Sequence, residues 1–307
     1  MKKSTVKHVN AFTDRPFSGN PAGVVLDARG LTEARMQLIA REMGMPETAF
    51  VLPPTWRGAN LQIRWFTPTV EVPLCGHATI GAFHALAEEA MAGMRHSGTY
   101  HFKVQTKSGL LSVDVEKKLS TSVIEFHTPV MKFRSMRVIP RNLAKAVGLT
   151  RAMLHRRLPV ARANYIYIPL RSLSTLRSLK PDMNALAAFC KSSKLVGVCF
   201  FSLQTVDEGS AVHSRFFAPA AGVAEDPVTG SANGPLGIYL YQFALRQGIA
   251  VPSLSLPDGR LEFIGEQGDG LGRKGRVTIR VRLRKGVVDD VSVGGEAVTI
   301  FTTQLQP

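Results

Sequence analysis

The chain has 307 residues, which is enough for two domains of about 150 residues rather than one core. A hydrophobic content of 45% with 20% charged residues is typical of a soluble globular protein, and no apolar run approaches the ~18 residues of a membrane span. The net charge of +15 is concentrated in residues 131–195, which hold fourteen Lys and Arg and one acid, Asp182. That segment predicts either a solvated basic face or a surface that attracts anionic partners.

The N-terminal stretch and the cysteines predict the cellular compartment of the protein. The N-terminal stretch MKKSTVKHVNAF has no apolar run of the kind found in a signal peptide, so we expect a cytoplasmic protein. Cys75, Cys190 and Cys199 are odd in number and widely spaced. This spacing argues against a disulfide framework and against a thiolate zinc site.

Strands and two helices alternate in the first half. Thr32 is a predicted N-cap for a helix over Glu33–Met43, which Gly44 ends. A second predicted helix, His77–Ala90, is apolar nearly all round, so we expect sheet to surround it. Strands are predicted at Val6–Phe12, Ala22–Leu26, Thr48–Leu52, Leu61–Phe66, 99–105, 109–116 and 121–127.

The second half predicts a similar mixture. Helices are expected at Arg141–Val147, at Pro181–Cys190 with the proline in its first turn, and at Gly234–Leu245, which is again apolar on most sides. Strands are expected within Val160–Leu170, Leu195–Gln204, Ala211–Phe217, 277–284, 287–293 and 297–303.

One internal repeat relates the two halves. Phe66–Leu86 reads FTPTVEVPLCGHATIGAFHAL, and Phe217–Leu240 reads FAPAAGVAEDPVTGSANGPLGIYL. Both begin Phe-x-Pro and reach a glycine before an apolar helix. The backbone N–H groups at Gly76–His77 and Gly230–Ser231 are therefore candidates for binding a carboxylate, although Gly and Ser are also ordinary residues at a helix start.

Several side chains near these turns are candidates for chemistry. Glu47 follows Met-Gly-Met-Pro and precedes an apolar strand, so we expect partial burial to raise its pKa toward neutrality, unless it is a solvated carboxylate. Asp226 could position a substrate amine, hold His77 in one tautomer, or form an Asx turn before proline. His77 could act as an acid, a base or a hydrogen-bond donor, or be structural.

Cys75 is the last candidate for chemistry, and the histidines are the candidates for metal binding. A cysteine beside a helix N-terminus can have a lowered pKa, but Cys75 could equally be a packing residue. A two-base racemase would need a second thiol in residues 227–231, which hold none. His77 and His84 are ~10.5 Å apart along a helix, so no metal site is expected.

Four segments resemble the PhzF-like (phenazine biosynthesis F) family of the diaminopimelate epimerase-like superfamily. They are VNAFTDRPFSGNPAGVV at 9–25, MPETAFV at 45–51, FTPTVEVPLCGHATIGA at 66–82 and RFFAPAAGVAEDPVTGSANGPLG at 215–237. The resemblance implies an α+β fold of two pseudo-symmetric domains, each a mostly antiparallel barrel-like sheet around a central helix. The implied domains are 1–128, completed by a last strand at about 295–307, and 129–294.

The resemblance also implies a chemistry. The namesake isomerises a dihydro-hydroxyanthranilate by proton transfer through a glutamate. By this likeness we expect no cofactor and a homodimer, since proteins of the family are commonly homodimers. By that likeness Glu47 is the acid/base, with His77 and Asp226 as its catalytic partners. The likeness makes Asn20, Gly76, Gly230 and Ser231 substrate-binding residues. No nucleic-acid or membrane partner is expected, because the sequence has no RNA-reading aromatic motif, no zinc-finger spacing and no apolar run of membrane length. Asn233 and Pro235 stand where many relatives have small residues, so the second helix is expected to begin differently.

The main hypothesis is thus a cofactor-independent isomerase of a small carboxylate-bearing metabolite. One alternative is an amino- or imino-acid racemase or epimerase that uses Cys75 with Glu47 or Asp226. The other is a non-catalytic binding protein that acts through the basic surface of residues 131–195.

Overall fold

The computed structural model describes residues 4–254 and 259–305. The chain forms two compact units, one made of the residues up to His127 together with those from Gly294 onward, and the other of Thr128–Val293. No helix in the described ranges is long and apolar enough to cross a membrane.

Strands outnumber helices in both units. In chain order the elements are β1 Ser4–Ala11, β2 Asn20–Val25, α1 Glu33–Met43, β3 Glu47–Leu52, β4 Leu61–Phe66, β5 Glu71–Val72, α2 Gly76–Glu88, β6 Gly98–Thr106, β7 Gly109–Lys117, β8 Ser122–Thr128, β9 Arg134–Ser135, α3 Arg141–Val147, β10 Ala161–Arg162, β11 Ile166–Pro169, α4 Leu173–Arg177, α5 Met183–Ser192, β12 Val198–Ser202, β13 Ser210–Ala218, β14 Val223–Asp226, α6 Gly230–Phe243, β15 Arg260–Gln267, β16 Gly275–Arg284, β17 Val287–Gly295 and β18 Ala297–Leu305.

The sheet of the first unit is mostly antiparallel. β1 pairs antiparallel with β18 on one side and with β2 on the other. The pairs β3–β4, β6–β7 and β7–β8 are also antiparallel. Two pairs are parallel, β2 with β3 and β4 with β6. The connection between β2 and β3 runs through α1, as a parallel pair requires a crossover.

Helix α2 is the buried centre of this unit. Ten of its thirteen residues are buried, and it packs against β1, β2, β3 and β18. A helix without a polar face is unfavourable at a solvent-exposed surface, so the strands enclose it. Helix α1 is different, because only one side is buried: Met36, Ile39 and Ala40 face the core while Thr32 caps its start by accepting from Arg35 N–H.

The second unit repeats the same order of pairings. The pairs β10–β11, β12–β13, β13–β14 and β15–β16 are antiparallel, and β11–β12 and β13–β15 are parallel. The pairs of β1 to β7 have the same senses in the same order.

The antiparallel register sets Thr48 beside Phe66 in the first unit and Val198 beside Phe217 in the second. In each unit an arginine, Arg64 or Arg215, lies over that phenylalanine ring. Val198 is therefore the counterpart of Thr48, and Gly197 is the counterpart of Glu47. Helix α6, buried at eleven of its fourteen residues, is the counterpart of α2.

A pair of side-chain anchors supports this equivalence. In the first unit, Gln105 Oε1 accepts from the backbone N–H groups of Thr55 and Trp56, at 2.7 and 2.9 Å. In the second, Glu266 accepts from the N–H groups of Val206 and Asp207, at 2.8 and 2.7 Å. The two loops are offset by 151 residues, as are Phe66 and Phe217 of the repeat. Each unit thus ties down the same loop with the same strand.

The second anchor is charged where the first is neutral. Glu266 is fully buried, and its Oε2 lies 2.7 Å from His213 Nδ1, within hydrogen-bond distance. Its Oε1 lies 3.7 Å from Arg276 Nη2. Burial alone would raise the pKa of Glu266, but His213 and the two backbone N–H groups lower it to about 2.

The structure differs from the sequence prediction at three predicted elements, and it also contains the strand β15 and the helix α4, which were not predicted. Helix α6 begins at Gly230 rather than Gly234 and contains Pro235. Pro181 lies outside its helix, because Asp182 is the N-cap and accepts from Ala185 N–H. The strand predicted within Val160–Leu170 is divided into β10 and β11, which pair with each other.

We predict that Glu266 makes the stability of the second unit pH-dependent. Its pKa is depressed from 4.5 to about 2 in the folded protein, so its stabilising contribution is complete above pH ~4.5 and is lost as the pH falls toward 2. That contribution is on the order of 3 kcal/mol. Urea unfolding of Glu266→Gln across this range should show a shallower loss of the free energy of unfolding than the parent.

The exposed Glu42→Gln is the matched control, since it removes a carboxylate that stands in solvent. It should keep the parent's dependence on pH. Equal slopes for parent and Glu266→Gln would show that the buried anchor does not couple to protons.

Candidate active site

The start of α2 holds three of the predicted residues in a fixed arrangement. Cys75 is the N-cap, with an extended backbone at φ −141°, and Gly76 and His77 are the first helical residues. A Cβ atom on Gly76 would lie 2.7 Å from the ring of Phe126, which explains why only glycine fits. The first-turn N–H groups, among them those of Gly76 and His77, have no intrahelical acceptors and carry the positive end of the helix dipole.

Glu47 reaches this turn from another element. It is the first residue of β3, and the parallel pairing with β2 sets its position. Its Oε2 lies 3.2 Å from His77 Nε2. On the other side of the ring, His77 Nδ1 lies 3.2 Å from Asn20 Nδ2 and 3.5 Å from Cys75 Sγ. The imidazole is therefore held between a carboxylate and an amide.

These contacts restrict the protonation of His77. In its neutral form the ring accepts at Nδ1 from the Asn20 amide, so the proton stands on Nε2 and is donated to Glu47. In the imidazolium form both nitrogens donate, and the Asn20 amide must then present its oxygen. Nε2–H faces the carboxylate in either case, so Glu47 keeps one charge-assisted hydrogen bond.

The electrostatics of the cluster correct two expectations. Burial raises the pKa of Glu47, but the charge of His77 and hydrogen bonds from His77 and Cys75 outweigh it, so its pKa is lowered rather than raised. Burial and the Glu47 carboxylate raise the pKa of the Cys75 thiol, so the helix N-terminus does not make it a thiolate. Burial would lower the pKa of His77, yet Cys75 and Glu47 raise it well above its usual value.

The same cluster is a set of potential metal ligands. The ligand atoms of Glu47, Cys75 and His77 all lie within 4.8 Å of one another. This set is not visible in the sequence, where Glu47 lies thirty residues before His77. The third ligand comes from β3, and only the sheet register brings it close.

In the second unit, Asp226 lies in a hydrogen-bonded network with the start of α6. Asp226 Oδ2 accepts from Thr229 Oγ1 at 2.6 Å. Gln267 Nε2 donates both to the Asp226 carbonyl, at 2.8 Å, and to Thr229 Oγ1, at 3.0 Å. Thr229 is the N-cap residue of α6 and thus the counterpart of Cys75. Gln267 was not predicted as a partner of Asp226, because it follows Asp226 by forty-one residues.

Ser231 is held at both its side chain and its backbone. Its Oγ lies 3.0 Å from the hydroxyl of Tyr165, and Asn164 Nδ2 donates to its carbonyl at 3.3 Å. That carbonyl would normally accept from the residue four positions on, but Pro235 has no N–H to give. Asn164 therefore replaces a helix hydrogen bond that Pro235 removes.

Asn164 and Asn20 each bind the second residue of a buried helix. Asn164 Nδ2 donates to the Ser231 carbonyl, and Asn20 Nδ2 lies 3.2 Å from His77 Nδ1. Asn20 is the first residue of β2, whereas Asn164 stands two residues before β11. Because the two strand positions differ, the likeness of the two halves did not reveal Asn164.

The structure thus places the predicted residues in two clusters. Glu47, His77, Cys75 and Asn20 come together in the first unit, around the N-terminus of α2. Asp226 and Ser231 stand at either side of the Gly230 turn in the second unit.

The mixed α+β architecture, with one buried helix in each of two similarly paired sheets, defines the diaminopimelate epimerase-like class of fold. A hydroxyproline epimerase from Agrobacterium vitis shares that fold, with a TM-score of 0.60 over 99% of this chain and 91% of its own, at 14% identity. A PhzF-family protein from Bacillus anthracis is nearer, with a TM-score of 0.85, 31% identity and complete coverage of both chains. The predicted fold class is confirmed.

The chain belongs to the phenazine biosynthesis-like (PhzC-PhzF) family, whose model matches residues 9–303. It is 37% identical to the uncharacterized isomerase YddE of Escherichia coli strain K12, over 97% of both chains. It is 31% identical to the trans-2,3-dihydro-3-hydroxyanthranilate isomerase of Pseudomonas chlororaphis, over 95% of both. The family predicted from four sequence segments is confirmed, and the protein is an isomerase of that family.

We predict that Gly76→Ala destabilises the protein, because its new methyl group would overlap the buried ring of Phe126. The expected loss in the free energy of unfolding is about 1–3 kcal/mol. Gly81→Ala, in the same helix, is the control: its Cβ would lie at ordinary contact distances of 3.5 and 3.6 Å from Val9 and Ala22. That variant should be neutral or more stable by up to ~1 kcal/mol. Equal effects in urea unfolding would contradict the close approach at Gly76.

A double-mutant cycle should show that Asn164 compensates for Pro235. Asn164→Ala alone leaves the Ser231 carbonyl without its partner and should cost about 1–2 kcal/mol. In a Pro235→Ala background the restored N–H can bond that carbonyl, so the cost of Asn164→Ala should fall by about 1 kcal/mol. The measurement is chemical unfolding of the four proteins, and strict additivity would contradict the compensation.

Proposed function

We propose that the protein is a proton-transfer isomerase of a small carboxylate-bearing metabolite, with Glu47 as the acid/base and without a cofactor. The observation that carries the proposal is the 3.2 Å contact of Glu47 with His77 beside the N-terminus of α2. His77 is nine-tenths buried, while the Glu47 side chain retains 18% exposure. The carboxylate is therefore both held in place and open to a ligand.

The lowered pKa of Glu47 makes it a base in the resting enzyme. The carboxylate removes a proton from a carbon of the substrate, holds it as the carboxylic acid, and returns it to a second carbon of the same allylic system. The substrate electrons shift as a double bond moves, and no proton or electron is gained or lost overall. His77 Nε2–H orients the carboxylate through both steps, and Asn20 fixes the ring.

Binding of the substrate is assigned to the helix starts. The first-turn N–H groups at Gly76 and His77 suit a carboxylate, since they lack intrahelical acceptors and carry the positive end of the dipole. By the likeness of α6 to α2, we assign Gly230 and Ser231 to binding as well, with Asp226 as the partner of a substrate amine or hydroxyl.

The racemase that would use Cys75 is less well supported. The counterpart of Cys75 in the second unit is Thr229, whose hydroxyl is engaged by Asp226 and Gln267. The counterpart of Glu47 is Gly197, which has no side chain to exchange a proton. With a proton carrier in one unit only, a single base that returns the same proton fits better than two opposed bases.

The substrate class follows from the same features. A carboxylate is needed to engage the helix N-terminus, and an acidic C–H next to a double bond is needed for proton transfer by a carboxylate base. The relative from Pseudomonas chlororaphis is named for trans-2,3-dihydro-3-hydroxyanthranilate, a compound with these groups. We propose a substrate of that chemical type, a small unsaturated amino or hydroxy acid.

Glu47→Gln is the decisive variant, because it keeps the size and the hydrogen bond to His77 but cannot carry the proton. With trans-2,3-dihydro-3-hydroxyanthranilate and related acids as probes in deuterated water, turnover and deuterium incorporation should fall by about 10²–10⁴-fold.

Glu42→Gln, at the exposed end of α1, should leave both rates unchanged and controls for the loss of one negative charge. If Glu47→Gln turns over at the parent's rate, then Glu47 is not the acid/base.

A further inference from the structure

The hairpin of β10 and β11 brings a tyrosine to the start of α6. Only Ala163, Asn164 and Tyr165 link the two strands, and the Ala163 N–H donates to the Tyr165 carbonyl at 2.9 Å. From this short turn the Tyr165 hydroxyl reaches to 3.0 Å from Ser231 Oγ. In the described part of the chain, neither hydroxyl has another hydrogen-bond partner. We propose that Tyr165 is a positioning residue, which donates to Ser231 Oγ and so directs the Ser231 hydroxyl hydrogen toward the carboxylate of the substrate.

The direction of this hydrogen bond follows from the chemistry of the two hydroxyls. A phenol, with an ordinary pKa of about 10, is a better donor than the aliphatic hydroxyl of serine. Burial and the charge of Asp226 raise the pKa of Tyr165, although the hydrogen bond with Ser231 lowers it. The phenol therefore keeps its proton at neutral pH. Since Ser231 Oγ accepts from Tyr165, its own hydrogen is available for a second bond.

Packing holds the Tyr165 ring in place. The ring meets Phe216 edge to face, with 4.7 Å between the centroids, an arrangement that aromatic pairs prefer. Phe216 is in turn the antiparallel partner of Asp226. Tyr165 is thus tied to both residues that flank the Gly230 turn, to Ser231 through its hydroxyl and to Asp226 through Phe216. A fixed ring presents its hydroxyl in one direction without a further loss of side-chain entropy.

This arrangement selects a ligand group that only accepts hydrogen bonds. The inference rests on the assignment of Gly230 and Ser231 to substrate binding under the proposed function. Their first-turn N–H groups and the Ser231 hydroxyl all donate toward the same place. A carboxylate can accept from all of them, whereas a carboxamide presents N–H groups on one side and leaves donors facing donors. We therefore expect the second unit to prefer a carboxylate to its amide, and Tyr165 to contribute to that preference.

Calorimetric titration with anthranilate and with its amide, 2-aminobenzamide, tests this role without any turnover. The parent should bind the acid more tightly than the amide. Tyr165→Phe keeps the ring against Phe216 and should weaken anthranilate binding by about three- to tenfold while changing amide binding by less than about twofold. Tyr241→Phe, which removes a hydroxyl bonded to the Gly286 carbonyl near the other end of α6, is the matched control and should change neither affinity.

A second variant tests whether Tyr165 acts through Ser231. Ser231→Ala removes the direct donor and should weaken anthranilate binding by at least about tenfold, and Tyr165→Phe should cause no further loss in that background. Additive losses would overturn the proposal, as would equal losses of acid and amide binding in Tyr165→Phe or a parent that does not bind the acid in preference. Unchanged turnover of Glu47→Gln would end the acid/base assignment but leave these affinities, and the role of Tyr165, intact.

Discussion

Enclosure of a helix that is apolar on nearly every side is the constraint on which the first unit depends. Because α2 cannot face water, strands surround it, and its polar N-terminus is the one part that must meet polar side chains. The close approach of Gly76 to Phe126 fixes where the helix begins. That start sets the direction of the His77 ring, which in turn holds the Glu47 carboxylate. The chemistry of the cluster is thus a consequence of how the core is closed.

The two units keep one framework and differ in its chemistry. The order of parallel and antiparallel pairs is the same, the same loop is anchored by the same strand, and an Asn holds the second residue of each buried helix. In these matched places the chain has different residues, Glu47 against Gly197 and Cys75 against Thr229. Backbone geometry has been retained where it supports packing, and side chains differ where they face the helix starts.

Much of the fold could be predicted because its signals are local. Thr32 and Gly44 mark both ends of α1, and the uniform apolarity of 77–90 indicated a buried helix before any contact was known. The site was harder, because its contacts are long-range. Glu47 joins His77 only through the β2–β3 register, and Gln267 joins Asp226 from the end of β15. The start of α6 was misplaced for a related reason: Pro235 is usually an argument against a helix interior, and its compensation by Asn164 lies sixty-seven residues from Ser231.

The correspondence of Glu47 with Gly197 also has a stereochemical meaning. Under the proposed chemistry, one base that removes a proton and returns it reaches a single face of a planar intermediate, so a double bond moves without inversion of a centre. Inversion needs a second proton carrier. With Gly197 in that position, the second unit repeats the backbone that carries Glu47 but supplies no proton carrier there.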